Sequence, residues 1–454
     1  MVLRPRVHER RPQADLVQKA AAEPRHPRRA DRHRDLCVLH RAANDHPAAH
    51  PLFQRPERAR SHGHQRLLSL EGRLAHHLEA RELLHHHRPA SCRHPAVQHR
   101  ADVPAAKGYI AKGTALALKM RSALYYGDYQ RAKEAAKAIM DLGQYELDPD
   151  YANVFTVPGQ SSKEIIASVQ HDENLYSNWM IASMYNNGDG GWSSMVPTQN
   201  LIDTYEMSNG LTKEEAGSGY DAAHPFANRD PRMAMTVLYP GRDWVGIGGK
   251  TIINTLDKEL DGKSNPNHPG TANNSSKTGL TWAKYLDPMS QYGDIWSNNS
   301  SAILFRYAEV LLSYAEAENE LNGPSAEVYG LLNQIRNRAG MPNVDQNKYG
   351  SKETLRELIR RERSIELAGE GLRRADILRW KDASGKMVAE TVLNGPLNCV
   401  TGTIDYAETD PYKRAVISGV ELVENRSFAP HNRYLPINQD ALDKNKQLKQ
   451  NDGY

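Results

Sequence analysis

From residue 301 onward, apolar positions recur every three or four residues, the spacing that gathers them along one side of an α-helix. In the run from Ser301 to Gly323 they are Leu304, Tyr307, Ala308, Leu311, Leu312 and Ala315, with Glu318 on the same face, and Asn322-Gly323-Pro324 ends the pattern. A second run starts at once, with Pro324 near its first position, Val328, Leu331, Leu332 and Ile335 on one face, and a stop at Gly340 and Pro342. Ala315, Ala317 and Ala326 are small enough for close packing, so the two runs predict an antiparallel helical hairpin. A third helix, capped by Ser351 or Thr354, carries Leu355, Leu358, Ile359, Ile365, Leu367 and Leu372 toward Trp380. An earlier pair has the same character. It places Ala111, Ala115, Leu118 and Leu124 on one helix and Ala132, Ala135, Ala136 and Ile139 on the next, with a turn at Gly127-Asp128 and a stop at Gly143.

Between these helical blocks the pattern changes. Residues 163–171, KEIIASVQH, alternate as a short strand does, with Ile165, Ala167 and Val169 against Ile166 and Ser168. The stretch to about residue 300 is rich in Gly, Asn, Tyr and Trp and predicts an irregular region. Asp230-Pro231 marks a turn in it, and Arg229 and Arg232 are placed to clamp carbonyls or carboxylates of neighbouring loops. The tract 256–279 reads as an exposed polar excursion whose oxygen-bearing residues do not follow calcium-loop spacing. After residue 380 the helical phase is lost, and the chain closes through Tyr434-Leu435-Pro436-Ile437, a terminus expected to be tied against the helical body.

Four phrases, in order, give a more specific signal: FRYAEVLLSYAEAENEL, LLNQIRNRAGMP, LIRRERSIELAGEGLRRADILRW and HNRYLPINQDALDKNKQLKQNDGY. The series resembles that of the SusD/RagB family, the outer-membrane glycan-binding lipoproteins of Bacteroidetes. The fold this implies is mainly α: a SusD-like domain with tetratricopeptide-type helical hairpins and a long irregular subdomain containing short strands. The domain is expected over residues 103–454. Its helical repeats fall at about 103–145 and 301–380, its ligand-recognition region at about 146–300, and its closing segment at 381–454. The resemblance further implies an oligosaccharide or polysaccharide ligand, a TonB-dependent outer-membrane transporter of SusC type as partner, and a lipid-anchored, outward-facing address.

Five of the six tryptophans, Trp179, Trp192, Trp244, Trp282 and Trp296, lie in the irregular region. The C–H faces of sugar rings pack on aromatic planes while their hydroxyls need polar partners, so a glycan site calls for Trp or Tyr beside amides, carboxylates or arginine. The run Tyr185-Asn186-Asn187-Gly188-Asp189-Gly190-Gly191-Trp192 offers that mixture on a loop. Trp192, Asn186, Asn187, Asp189, Trp179, Tyr185, Arg242 and Trp296 are therefore the candidate ligand contacts for a neutral glycan, set against the plainer reading of tryptophans as packing anchors.

Charge separates the first hundred residues from the rest. Residues 1–105 hold 19 Arg, 1 Lys and 11 acids, a net of +9, against +3 for the whole chain, which leaves −6 for the remainder. The same segment holds 15 of the 19 histidines and no Tyr or Trp, and the composition changes abruptly near Val103. GC-rich codons read out of phase yield Arg, Pro, Ala and His, so residues 1–102 are expected to be a frameshifted or misassigned region, with a basic disordered tail as the alternative. This basic excess gives no ground for a nucleic-acid partner. His85, His86 and His87 are adjacent and lack spaced ligand partners, and the cysteines Cys37, Cys92 and Cys399 form no metal or redox motif, so neither metal nor cofactor is expected. The signal peptide and lipid-bearing cysteine that the resemblance implies do not appear in the sequence, nor does a run of eighteen apolar residues.

Catalysis is the main rival function. Glycan hydrolysis needs two opposed carboxylates, for which Glu309, Glu316, Glu318, Glu362 and Glu366 are the candidates. Glu362 and Glu366 are one turn apart among Arg360, Arg361 and Arg363, the spacing of a helix salt-bridge lattice, and Glu309 and Glu316 are in reach of Arg336 or Arg338. With no G-x-S-x-G, H-E-x-x-H or phosphate-loop motif, the sequence predicts a non-enzymatic binding protein; a helical-repeat interaction scaffold is the alternative.

Overall fold

The computed structural model describes residues 110–288 and 294–454; segment 1–102, with its histidines and two cysteines, lies outside them. Helices α1 (Lys112–Tyr126) and α2 (Tyr129–Met140) are joined by Gly127 and by Asp128, whose carboxylate accepts the Arg131 amide and caps α2. Strand β1 (Ile165–Val169) opens the middle region. There α3 (Trp179–Met184), α4 (Gln199–Thr204) and α5 (Pro231–Thr236) alternate with β2 (Val237–Leu238), β3 (Asp243–Gly246), β4 (Gly249–Ile252), β5 (Glu259–Leu260), β6 (Lys263–Ser264), β7 (Thr281–Trp282) and β8 (Ala302–Arg306). The second helical block is α6 (Tyr307–Asn322), α7 (Ala326–Arg338), α8 (Lys352–Glu366) and α9 (Arg373–Arg379). Short α10 (Val388–Val392), the long hairpin β9 (Gly395–Ile404) and β10 (Ala415–Arg426), and α11 (Gln439–Lys444) complete the chain. Each sheet is a two-stranded antiparallel pair: β1 with β8, β2 with β7, β3 with β4, β5 with β6, and β9 with β10.

The helices form where the spacing predicts them, with three corrections. The run from residue 301 is not helical at its start, because Ala302–Arg306 is strand β8, paired through Ile303 with Ser168 and through Phe305 with Ala167. Leu304, read as part of the helix face, is exposed. Isoleucine and phenylalanine suit a pleated strand, and pairing with β1 overrides a helical phase that happens to continue into them. The α1 face is also shifted: Gly113, Ala117, Met120, Ala123 and Leu124 are buried, while Ala115 and Leu118 face out. Alanines stand on several sides of this helix, so their spacing sets no phase. Ser351 and Thr354 together make the α8 cap, each side chain satisfying the other's amide. That helix stops at Glu366, well short of Trp380. Gly369 takes a positive φ of 76°, and a Cβ there would meet the Trp282 ring at 3.1 Å, so the chain turns before α9 begins.

One core joins both helical blocks. Met120 and Ile139 of the first pair bury with Leu311, Leu332, Leu355 and Ile359 of α6, α7 and α8, the shared packing that hairpin repeats require. A second core, built on Tyr151, Phe155, Tyr185, Trp244, Trp282 and Tyr285, lies beneath the middle region. The two regions meet through buried ion pairs. Arg232, Arg306, Arg336, Arg338, Arg361 and Lys284 face Glu164, Glu206, Asp230, Glu362, Glu366 and Glu370, so the named cations and carboxylates are equal in number. Glu362 and Glu366 therefore bond across elements, to Arg232 at 2.5 and 2.9 Å, and not within a surface lattice on their own helix. Glu309 bonds to Arg121 and Glu316 to Arg379, in place of the arginines expected from α7. The predicted clamps are present: Arg229 donates to the carbonyls of Ile202, Tyr205 and Pro225, and Asp230 caps α5.

The closing segment holds mainly to itself. Gln450 bonds the Ile437 backbone in both directions, and the Tyr454 hydroxyl donates to the Tyr434 carbonyl, while Tyr434 and Leu435 stay exposed. Arg374 of α9 reaches the Asn432 and Arg433 carbonyls, a looser tie to the helical body than the sequence suggests.

Candidate functional site

The loop from Asn186 to Trp192 is built from its own side chains. The Asn186 carbonyl oxygen Oδ1 accepts the Asp189 amide at 3.0 Å and caps a short 3-10 turn, and its Nδ2 donates to Asp189 Oδ2 at 2.6 Å. Asp189 also accepts the Trp244 indole N–H at 2.7 Å and the Ile247 amide at 2.9 Å, which ties the loop to β3. Gly191 lies so close to Tyr185 that a Cβ would fall 2.2 Å from that carbonyl oxygen, so only glycine lets the chain turn out here. Trp192 is thereby carried to the surface, 53% exposed, with its ring 4.7 Å from that of Trp296 at a tilt of 53°.

Beside this pair runs an open groove of about 430 Å³. Trp179 and Met180 of α3 line it, with Tyr176, Ser177 and His171 from the preceding turn, Met195 from the Trp192 loop, Ile303 of β8, and Gly369-Glu370 from the turn after α8. The His171 and Tyr176 rings stack at 4.8 Å, nearly parallel at 4°. Ser177 links groove and tryptophan pair, since its hydroxyl donates to the Trp296 carbonyl at 2.6 Å. Trp179 is 59% exposed, and Tyr176 and Met195 are also open to solvent.

Three of the six tryptophans are therefore not fully buried: Trp179 and Trp192 are exposed and Trp296 is half-buried. The other three, Trp244, Trp282 and Trp380, are buried, and the Trp380 indole N–H donates to Glu316. Of the predicted contacts, Trp179 lines the groove and Trp192 pairs with Trp296, whose carbonyl is held by the groove residue Ser177. Tyr185 does neither: its ring is buried and its hydroxyl donates to the Asp287 carbonyl at 2.6 Å. Asn186 and Asp189 are buried and use their polar atoms on each other, on Trp244 and on the Ile247 amide, so neither is placed to read a ligand. Asn187 bonds to the Pro266 carbonyl and accepts from Asn274, holding the 256–279 excursion against the loop. Arg242 donates to the Val237 carbonyl beneath Tyr239, and burial lowers its pKa; it is a packing residue. Tyr176, His171, Met180, Met195 and Glu370 were not singled out from sequence. The run YSNWMIASM, with aromatic and methionine residues crowded onto one short helix and its approach, is the signal that points to Tyr176 and Met180; His171, Met195 and Glu370 lie outside it.

Glu370 is the single carboxylate among the described groove-lining residues. It accepts from Lys284 at 2.7 Å and from Arg306 through both oxygens, each at 2.7 Å. Burial alone would raise its pKa, but Arg306 and Lys284 outweigh burial and hold the carboxyl below its ordinary range. Burial in turn lowers the Lys284 ammonium to about 8, with Glu370 opposing the shift. A lone, charge-compensated carboxylate is not the opposed pair that glycoside hydrolysis uses. Among the described residues no group of three or more His, Cys, Asp or Glu could hold a metal, and no helix is long and apolar enough to cross a membrane. Two larger cavities, about 530 and 800 Å³, lie along β9–β10 and around Asp257 and Asp261; neither is lined by a tryptophan.

The SusD family model matches residues 163–454, well over half of the chain, taking in the groove, the second helical block and the closing segment. The chain belongs to the SusD family. A SusD-like protein of Formosa agariphila is 26% identical to this SusD-family chain over 297 residues, covering 60% of the chain and 50% of the relative. A second from that organism is 26% identical over 338 residues, covering 71% and 59%. The chain thus spans about half the length of the first relative. Among solved structures, a SusD-like carbohydrate binding protein of Bacteroides fragilis superposes with a TM-score of 0.63 at 29% identity, over 77% of this chain and 67% of that one. Another SusD-like protein of that species gives 0.62 at 26% identity, over 79% and 68%. The mainly α architecture with small peripheral sheets is the SusD fold.

Proposed function

We propose that the chain is a non-catalytic oligosaccharide-binding protein whose recognition surface is the groove lined by Tyr176 and Trp179, together with the Trp192–Trp296 pair tied to it through Ser177. The observation that carries this reading is the exposure of Tyr176, Trp179 and Trp192, with Trp296 half-buried beside Trp192, when the same sequence buries three other tryptophans. Each large aromatic left in water forgoes roughly 1.5–3 kcal/mol of burial, and such patches mark binding faces. Flat rings at the rim suit the C–H faces of sugars, and the carbohydrate-binding relative in Bacteroides fragilis agrees with that chemistry. In this reading the helices form the platform, and the protein stands at the outer membrane and passes glycan to a TonB-dependent transporter of SusC type, the partner implied by the family resemblance.

Calorimetric titration against a panel of plant and host glycans tests the binding role. Trp179→Ala and Trp192→Ala are each expected to weaken the best ligand by roughly 1–3 kcal/mol with thermal stability nearly unchanged. Unchanged affinity in both variants, or a loss that only follows the folded fraction, contradicts the assignment. Detergent co-purification of the natural product tests the delivery role: recovery with a β-barrel partner supports it, and repeated recovery without one overturns it.

A further inference from the structure

We propose that this groove selects sugars bearing an N-acylamino group over sugars with a hydroxyl or free amine at the same carbon; the inference rests on the glycan-binding reading above. The aromatic rim accepts any pyranose ring with an apolar face, but the wall behind it is more particular. Met180, Ile181, Met184, Met195 and Ile303 present thioether and alkyl surface, where a sugar hydroxyl finds no partner and loses its water. A methyl group gains by the same transfer.

His171, Tyr176, Ser177 and Asn178 also line the groove, but its one carboxylate among the described lining residues is Glu370, whose side chain is 5% exposed. Its Oε1 accepts from both Lys284 and Arg306, whereas among the described residues Oε2 accepts one bond, from Arg306 Nε, which leaves room for one further donor. An ionised carboxylate only accepts, so the ligand must supply a donor. Its charge is already matched by Arg306 and Lys284, so an ammonium group gains little attraction for the water it gives up. A neutral amide N–H next to a methyl meets both conditions on one small planar unit. An acetamido group has that form, and neither a hydroxyl nor an amine does.

An immobilised panel of matched glycans tests this: N-acetylgalactosamine against galactose, and N-acetylglucosamine against glucose and glucosamine, each in α and β linkage. The N-acetyl member of at least one set is expected to be held roughly tenfold more tightly than its partners. A Met180→Ser/Met195→Ser double variant, altering two partly exposed side chains, is expected to narrow that ratio severalfold. Glu370→Gln should narrow it too, and the methionine variant decides the matter if Glu370→Gln does not fold. Equal or reversed preference, with binding still lost in Trp179→Ala, overturns the N-acyl selection and leaves the glycan reading standing. A preference that survives the double variant intact overturns its assignment to this groove, and no retention of any member overturns both readings.

Discussion

An aspartate in a polar, glycine-rich loop beside a tryptophan has the chemistry to hold sugar hydroxyls, and sequence alone cannot separate that role from an internal one. Asp189 is occupied by the Trp244 indole, the Ile247 amide and Asn186, all from within the protein. Asp189→Ala leaves buried donors unpaired and should cost about 1–3 kcal/mol of stability in denaturant unfolding, while the folded fraction keeps its ligand affinity. Lost affinity at unchanged stability would instead restore Asp189 to the site. The tryptophans divide for the same reason. Trp192 follows two glycines and is pushed outward, a feature legible in the chain, whereas burial of Trp244 depends on a carboxylate 55 residues away. Glu370 escaped notice because nothing near it in sequence shows that β8 and α3 share its groove.

Elements with a clear apolar period were legible: α2, α7 and α8 bury the residues their spacing selects. Where the period was false, tertiary pairing decided, as in β8. The charged helix face misled for another reason. Glu362 and Glu366 sit near arginines of their own helix, but their shared partner Arg232 is 130 residues distant from Glu362. Arg232→Met leaves Asp230 without its cation in the interior and takes one of several arginine partners from Glu362 and Glu366, and should lower stability by about 3–5 kcal/mol, read from urea unfolding; a loss under 1 kcal/mol would mean the network contributes little. Buried ion pairs, this network and the separate pairing of Glu316 with Arg379 and Arg363, also fix a pH response. In Glu316 burial raises the pKa, but Arg379 and Arg363 outweigh it and pull the carboxyl down to about 2 from an ordinary 4.5; Glu366 and Glu370 are also lowered. Since the unfolded chain takes up these protons first, their contribution is complete above pH 4.5 and is lost as pH falls toward 2. Unfolding midpoints should therefore drop steeply across that window, and a flat profile would contradict the assignment.

At the scale of the molecule, the family was legible because its helical phrases are long, ordered and periodic, and the proposed recognition region is placed by where the tryptophans cluster. The groove itself was not, since it is assembled from residues 169–195, 285, 302–303 and 369–370, which no local pattern joins. The central claim is that the molecule sorts its tryptophans into a buried set and a binding set. Fluorine NMR of protein labelled with 5-fluorotryptophan, each signal assigned by Trp→Phe substitution, reads this directly during titration with a bound oligosaccharide. The account predicts that the signals of Trp179, Trp192 and Trp296 move to saturation together while those of Trp244, Trp282 and Trp380 hold still. Saturable binding that moves none of the first three, or moves only the buried set, would contradict it.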